Sequence, residues 1–237
     1  MTATSAVAID RRMHFALALG LLLTIAWGFW PSYFGPLLRG APVPRFWLIH
    51  VHVAVFAVWM LLIVTQASLV ASGRVAAHRR FGVAVGSYGI GVLLVGLLVS
   101  VAAPIARVHA GQMKPAQAAL VALFNLTDML LFGGFLIAAL VKRNRPDLHR
   151  RLMLSASVAL AGAPVGRVIP SESPLYLLVW LWPLLALMLV ELWVRRRVHY
   201  LSVLSLALFV LASFKVQLYT SAPMWRKLGD ALVSPFL

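Results

Sequence analysis

Residues 78–106 read HRRFGVAVGSYGIGVLLVGLLVSVAAPIA: His78, Arg79 and Arg80 open a run that carries no further charge as far as Ala106. About 20 residues of helix cross the roughly 30 Å of bilayer hydrocarbon, so the run from Gly82 to Ala106 is long enough to span. The same tripeptide returns as His149-Arg150-Arg151, again at the start of an apolar run. Working outward, seven stretches qualify, at approximately 13–30, 47–72, 82–106, 117–141, 151–169, 175–194 and 200–219. Only short connections separate them. The longest, from Pro31 to Arg45, is rich in Pro and Gly.

Hydrophobic residues fill 62% of the 237 positions and charged residues 11%, a balance that a water-soluble surface does not tolerate. The sequence therefore predicts an all-α polytopic bundle of seven transmembrane helices forming one domain over residues 1–237. The formal charge of +15 is not a nucleic-acid footprint, because the basic residues cluster between apolar runs and lie along no single face. Anionic lipid on the cytoplasmic face is the partner they fit. The chain has no cysteine, which excludes disulfides, thiolate nucleophiles and Cys-ligated metals or clusters. No Gly-x-Ser-x-Gly elbow, His-Glu-x-x-His motif or phosphate-cradling Gly-Lys-Ser/Thr loop is present.

Lys and Arg counted in alternate connections set the orientation. One side holds Arg11, Arg12, Arg74, Arg79, Arg80, Lys142, Arg143, Arg145, Arg150, Arg151 and Arg195 to Arg197, thirteen in all. The other holds Arg39, Arg45, Arg107, Lys114, Arg167, Arg226 and Lys227, which is seven. The excess places the amino terminus in the cytoplasm and the carboxyl terminus in the periplasm of a bacterial inner membrane. The first apolar run ends in Trp27, Phe29, Trp30 and Pro31 and lacks a small-residue cleavage site, so it reads as a retained span and not a signal peptide. The tail from Pro223 mixes Trp225, Arg226, Lys227 and Leu228 and is expected along the outer interface.

Five glycines mark the third run, and Gly82 and Gly86 have the small-xxx-small spacing that lets helices approach closely in lipid. Pro164 and Pro183 fall inside apolar runs, where each is expected to kink or end its helix.

The segment Ala77-His78-Arg79-Arg80-Phe81-Gly82 resembles the His-Arg-x-x-Gly element of a bacterial family of multi-pass membrane proteins described mainly as a domain of unknown function. Asp147-Leu148-His149-Arg150-Arg151-Leu152-Met153 resembles that family's His-Arg-x-x-Met element, and Arg167 also fits. The likeness covers roughly Leu48 to Pro170. Such proteins are grouped loosely with b-type cytochrome-like membrane proteins, so the resemblance implies haem b as the cofactor.

Charge inside a bilayer asks for a reason, because a central charged residue costs about 2.5–3.5 kcal/mol on insertion scales. His52, Asp128, Arg167 and Lys215 stand out, with Gln66 and Asn125 as uncharged companions. His52, Trp59 and Gln66 are spaced by seven and share one helix face, which is expected to turn inward. His52 is either a functional group or a histidine hydrogen-bonded near the interface. Asp128 lies near mid-membrane, where a Trp59 N–H or Asn125 is the expected partner. Its two readings are a packing residue and a proton relay. His52, Arg167 and Lys215 all fall in the outer third, either as a cationic pocket for a small anionic ligand, a quinone oxygen or a haem propionate, or as separate cations reaching lipid phosphate.

His78 and His149, each followed by two arginines, are the symmetric pair that meets a b-type haem's need for two imidazoles at matching depth with cations for the propionates. The plainer reading is a hydrated interfacial cluster. The leading function is a cofactor- or quinone-associated redox role. The rivals are a small-ligand or proton-coupled transporter, with Asp128 and the outer cations lining its path, and an assembly or scaffold protein binding other membrane subunits.

Overall fold

The computed structural model describes residues 3–43, 46–215 and 221–237. Arg45 and the seventh run beyond Lys215 lie outside the described residues. Every regular element among the described residues is helical: α1 (Ala3–Phe29), α2 (Gly35–Leu38), α3 (Trp47–Ala71), α4 (Val75–His109), α5 (Pro115–Val141), α6 (Pro146–Ala159), α7 (Gly162–Val165), α8 (Pro174–Arg195), α9 (Tyr200–Ser213) and α10 (Pro223–Val233). Five spans are long and apolar enough to cross a bilayer: Ile9–Leu38, α3, α4, α5 and α8. Leu94, Leu98, Leu130, Leu189 and Trp193 stand outward on them, a surface that lipid solvates and water does not. The architecture is that of a multi-pass membrane protein.

The first span overruns its expected end. One π turn at Trp30–Phe34 joins α1 to α2, and Pro31 is tolerated because it opens that turn, where its missing N–H is not needed. Two of the seven expected spans are short. Residues 151–169 become α6 and α7, separated at Leu160 and Ala161, and the described part of the seventh run is the 14-residue α9. The break falls just before Pro164, as a helix-interior proline demands. Pro183, by contrast, sits buried within α8, which continues to Arg195.

The interrupted helix forms the middle of the bundle. α6 packs against α1, α5, α8 and α9, and nearly every residue from Leu148 to Val165 is buried. A break in such a place would strand backbone carbonyls away from water. Backbone N–H groups of Ala161 and Gly166 reach the Val158 and Gly162 carbonyls at 3.0 Å, and α8 adds a second donor to each: Trp180 Nε1 to Val158 at 2.9 Å and the Tyr176 hydroxyl to Gly162 at 3.3 Å. Ser155 donates to Ser205 of α9 at 2.8 Å, which satisfies two hydroxyls in the core.

Glycines set the approach of α3 to α4. Gly82, Gly89 and Gly96 repeat every seven residues, and a Cβ at each would meet Gln66, Trp59 and Phe56 of α3 respectively, although at Gly96 Met129 of α5 stands closer still. The contact at Gly89 would be 2.8 Å from the Trp59 ring, so the indole fits only where no side chain opposes it. Gly86 faces Leu140 of α5 instead, and Gly91 faces open space. The seam is thus a heptad of glycines receiving large side chains rather than the Gly82–Gly86 step. At the opposite end α10 lies on α5 and α4, burying Val233 against Ala118, Ala119 and Ala122 while Met224, Trp225 and Leu228 stay exposed.

Candidate functional site

The second tripeptide opens α6, with Pro146 and Asp147 in its first turn. Successive helical residues point about 100° apart, so three in a row address three directions. His149 turns to α5 and α4, Arg150 to α1, and Arg151 to α8. Arg150 pairs with Asp10, which Arg195 also approaches at 3.6 Å and His14 at 3.8 Å. Arg151, 1% exposed, donates from Nε to Glu191 Oε1 at 2.6 Å, and Glu191 is 2% exposed. The other carboxylate oxygen accepts the His199 backbone N–H and the Ser202 hydroxyl, both at 3.0 Å, so one acid joins α6, α8 and α9.

His149 donates from Nδ1 to the Ala139 carbonyl at 2.9 Å, which fixes the tautomer and leaves Nε2 with a free lone pair. Its ring lies 6.3 Å from that of His78, the planes 68° apart. His78 Nδ1 is buried without a partner, and its ring neighbours the Gln66 carbonyl. Gln66 Oε1 is likewise buried and unpartnered, close to Gly82. Arg79 and Arg80 are exposed and make no hydrogen bond or ion pair among the described residues. The two identical tripeptides therefore do different work: their histidines meet, while only the second pair of arginines is consumed by acids.

The face of α3 carrying His52, Trp59 and Gln66 does turn into the bundle. Trp59 is fully buried, edge-on to Phe132 at 5.5 Å. Its Nε1 has no partner, so it does not serve Asp128. The partner of Asp128 is Lys215, at 2.6 Å, which also donates to the Phe124 carbonyl at 3.2 Å. Asn125 takes no part in that pair and makes no hydrogen bond among the described residues. An acid and a base at one depth satisfy each other better than an indole and a carboxylate, because the pair cancels charge as well as supplying a hydrogen bond.

This arrangement divides the expected outer pocket. Lys215 is committed to Asp128. Arg167 lies over the Phe29 ring at 4.6 Å and donates to the Ala163 carbonyl at 2.7 Å, near enough to His52 to act on it electrostatically. His52 itself lies against Phe56, the ring centres 4.1 Å apart and the planes tilted by 43°, with Nδ1 unpartnered. The three residues do not converge on one anion.

Asp10 and Glu191 escaped sequence reasoning. The chain has only six acidic residues, and Glu191 stands within the sixth apolar run, a placement that by itself called for a partner. Compared with known proteins, the chain matches no family model, no curated protein and no solved structure.

Proposed function

We propose that the chain is a seven-span protein of the bacterial inner membrane, with its arginine-rich turns in the cytoplasm, that holds a b-type haem between His78 and His149 for electron transfer. In this reading α6 with α7, and α9 with the residues that follow it, complete the count of spans. The resemblance of the two His-Arg motifs to the family of unknown function belongs to the same proposal.

The spacing of the two rings carries it. An imidazole nitrogen sits about 2.0 Å from a bound metal, so two rings on opposite sides of one ion have centres roughly 6 Å apart; here they are 6.3 Å apart. The surroundings supply what axial histidines need. His149 is oriented by a backbone carbonyl through the nitrogen that would not ligate, and the buried Nδ1 of His78 otherwise lacks any partner.

Charge selects the kind of group. Arginines flank both histidines, and Arg79 and Arg80 are unpaired, so a bare dication would be repelled there. A group bringing its own carboxylates is attracted instead. Among the described residues no cluster of three His, Asp or Glu offers a conventional metal site. Held by His78 and His149, a haem would supply one-electron transfer. His149 and His78 would hold the iron, and Arg79 and Arg80 the propionates.

The absorption spectrum of protein purified from haem-supplemented cells tests this. A Soret band with a dithionite-dependent α-band is expected, lost in both His78→Ala and His149→Ala, and weakened in retention by replacing Arg79 and Arg80 with Gln. A colourless folded protein, or a band indifferent to both histidine substitutions, would remove the haem reading.

A further inference from the structure

A groove of about 370 Å³ runs between α5, α6 and α9, away from the face on which the histidines meet. We propose that it is a binding site for one acyl chain of an anionic phospholipid, whose phosphate is held at Lys142. The proposal does not depend on haem.

The lining is apolar except at one end. Leu148 and Leu152 of α6 form its floor, and Leu130 of α5 and Leu204 of α9 its exposed walls, while Lys142 and Tyr200 stand together at its mouth. From Leu130 to Lys142 is twelve residues of α5, about 18 Å at 1.5 Å per residue. Half of a roughly 30 Å hydrocarbon core is about 15 Å. The groove thus reaches through one leaflet, on the arginine-rich side, and brings its cation to the depth of the lipid phosphates.

Gly134 shows that the space belongs to the groove and not to helix packing. A Cβ built there meets nothing within 4 Å, unlike the glycines of the α3–α4 seam. At ~30 Å³ for a water-sized group, the volume holds about a dozen such groups in a row, which suits a chain of methylenes. Charge complementarity chooses among lipids. Lys142 is followed by exposed Arg143 and Arg145, and the nearest acid in sequence, Asp147, lies 3.9 Å from His199. A phosphate diester gains from that mouth; a zwitterion gains less, and the neutral head of an isoprenoid quinone gains nothing.

Native mass spectrometry in mild detergent tests the proposal, titrating with dioleoyl-phosphatidylglycerol or dioleoyl-phosphatidylcholine. The wild-type chain is expected to retain one phosphatidylglycerol roughly fivefold better than phosphatidylcholine, the discrimination that one interfacial lysine supplies. Lys142→Gln should erase the preference while keeping acyl binding. Gly134→Phe should remove both lipids, with Gly134→Leu as the milder companion and thermal melting to show that each variant is folded. Equal retention of the two lipids by the wild-type chain, retention unchanged in the filled variants, or displacement of phosphatidylglycerol by an isoprenoid quinone would each overturn it.

Discussion

Replacing Arg151 by methionine removes the cation from a pair in which both partners are at most 2% exposed. Truncating one partner of a buried pair typically costs about 3–5 kcal/mol, because the other charge is left in low dielectric. Here Glu191 keeps two donors, the His199 N–H and the Ser202 hydroxyl, so Arg151→Met should fall near the lower end, about 3 kcal/mol. Glu191→Leu does more harm. It strands the guanidinium and also two donors of the α8–α9 corner, each worth about 1–3 kcal/mol when left unpaired, so about 5 kcal/mol is expected.

The double variant decides the matter. With both charges gone, only the two unpaired donors remain, and the loss should return to about 3 kcal/mol, far below the sum of the single losses. Unfolding in mixed micelles followed by tryptophan fluorescence gives all four free energies. Independent sites add to within about 0.5 kcal/mol. Additive losses, or single losses below about 1 kcal/mol, would show that the pair does not hold α6 to α8. Arg150→Met is the internal reference: its side chain is 27% exposed, and about 1 kcal/mol is expected from so wet a pair.

Gly28→Ala should destabilise by about 1–3 kcal/mol in the same assay, since the new Cβ would lie 2.5 Å from the Pro164 carbonyl oxygen, which cannot swing away, whereas Gly91→Ala meets open space and should be neutral or slightly stabilising. Burial, then the Arg151 charge, push the His199 imidazole below its ordinary value despite Glu191 and Asp147, and its Nδ1 caps α9 by accepting the Leu201 N–H. A lowered folded pKa means that this contribution is present above about pH 6.5 and is lost as pH falls, so the protection of amides at the start of α9, measured against their intrinsic exchange rate, should fall in acid. His199→Asn, a cap that does not titrate, should abolish that share of the pH dependence. Asp128→Asn leaves Lys215 without its acid and should lower the melting temperature, and Lys215→Met added to it should restore most of the loss; a melting temperature unmoved by Asp128→Asn would show the pair to be idle.

Apolar length was readable because it is a property of one run. The five long spans and the inward face of α3 follow from length and periodicity along a single helix. Partner choice is not of that kind. Trp59 and Lys215 both reach the neighbourhood of Asp128 by depth alone, and only the rotation of α9 against α5 decides for the lysine. Length alone did not show the interruption between α6 and α7. α6 can be short, interrupted and serine-bearing because backbone turns at the break, with Trp180 and Tyr176 as added donors and Ser205 opposite Ser155, supply the hydrogen bonds that lipid would not.

Lipid withholds from helices the driving force that sorts them in water, so something polar or close-packed must choose their neighbours. Three of the six acids are buried, and each meets a base on another helix: Asp10 with Arg150, Glu191 with Arg151, and Asp128 with Lys215. The partners are 140, 40 and 87 residues apart, linking α1 to α6, α6 to α8, and α5 to the end of α9. Mispacking α6 against α8, or α5 against the end of α9, would strand a charge in hydrocarbon at a cost of several kcal/mol, whereas sliding one leucine past another costs little; the wetter Arg150–Asp10 pair selects more weakly. The tripeptides illustrate the same rule. Arg150 and Arg151 turn inward because Asp10 and Glu191 await them, and Arg79 and Arg80, with no acid on α3 or α5 at their level, remain at the surface.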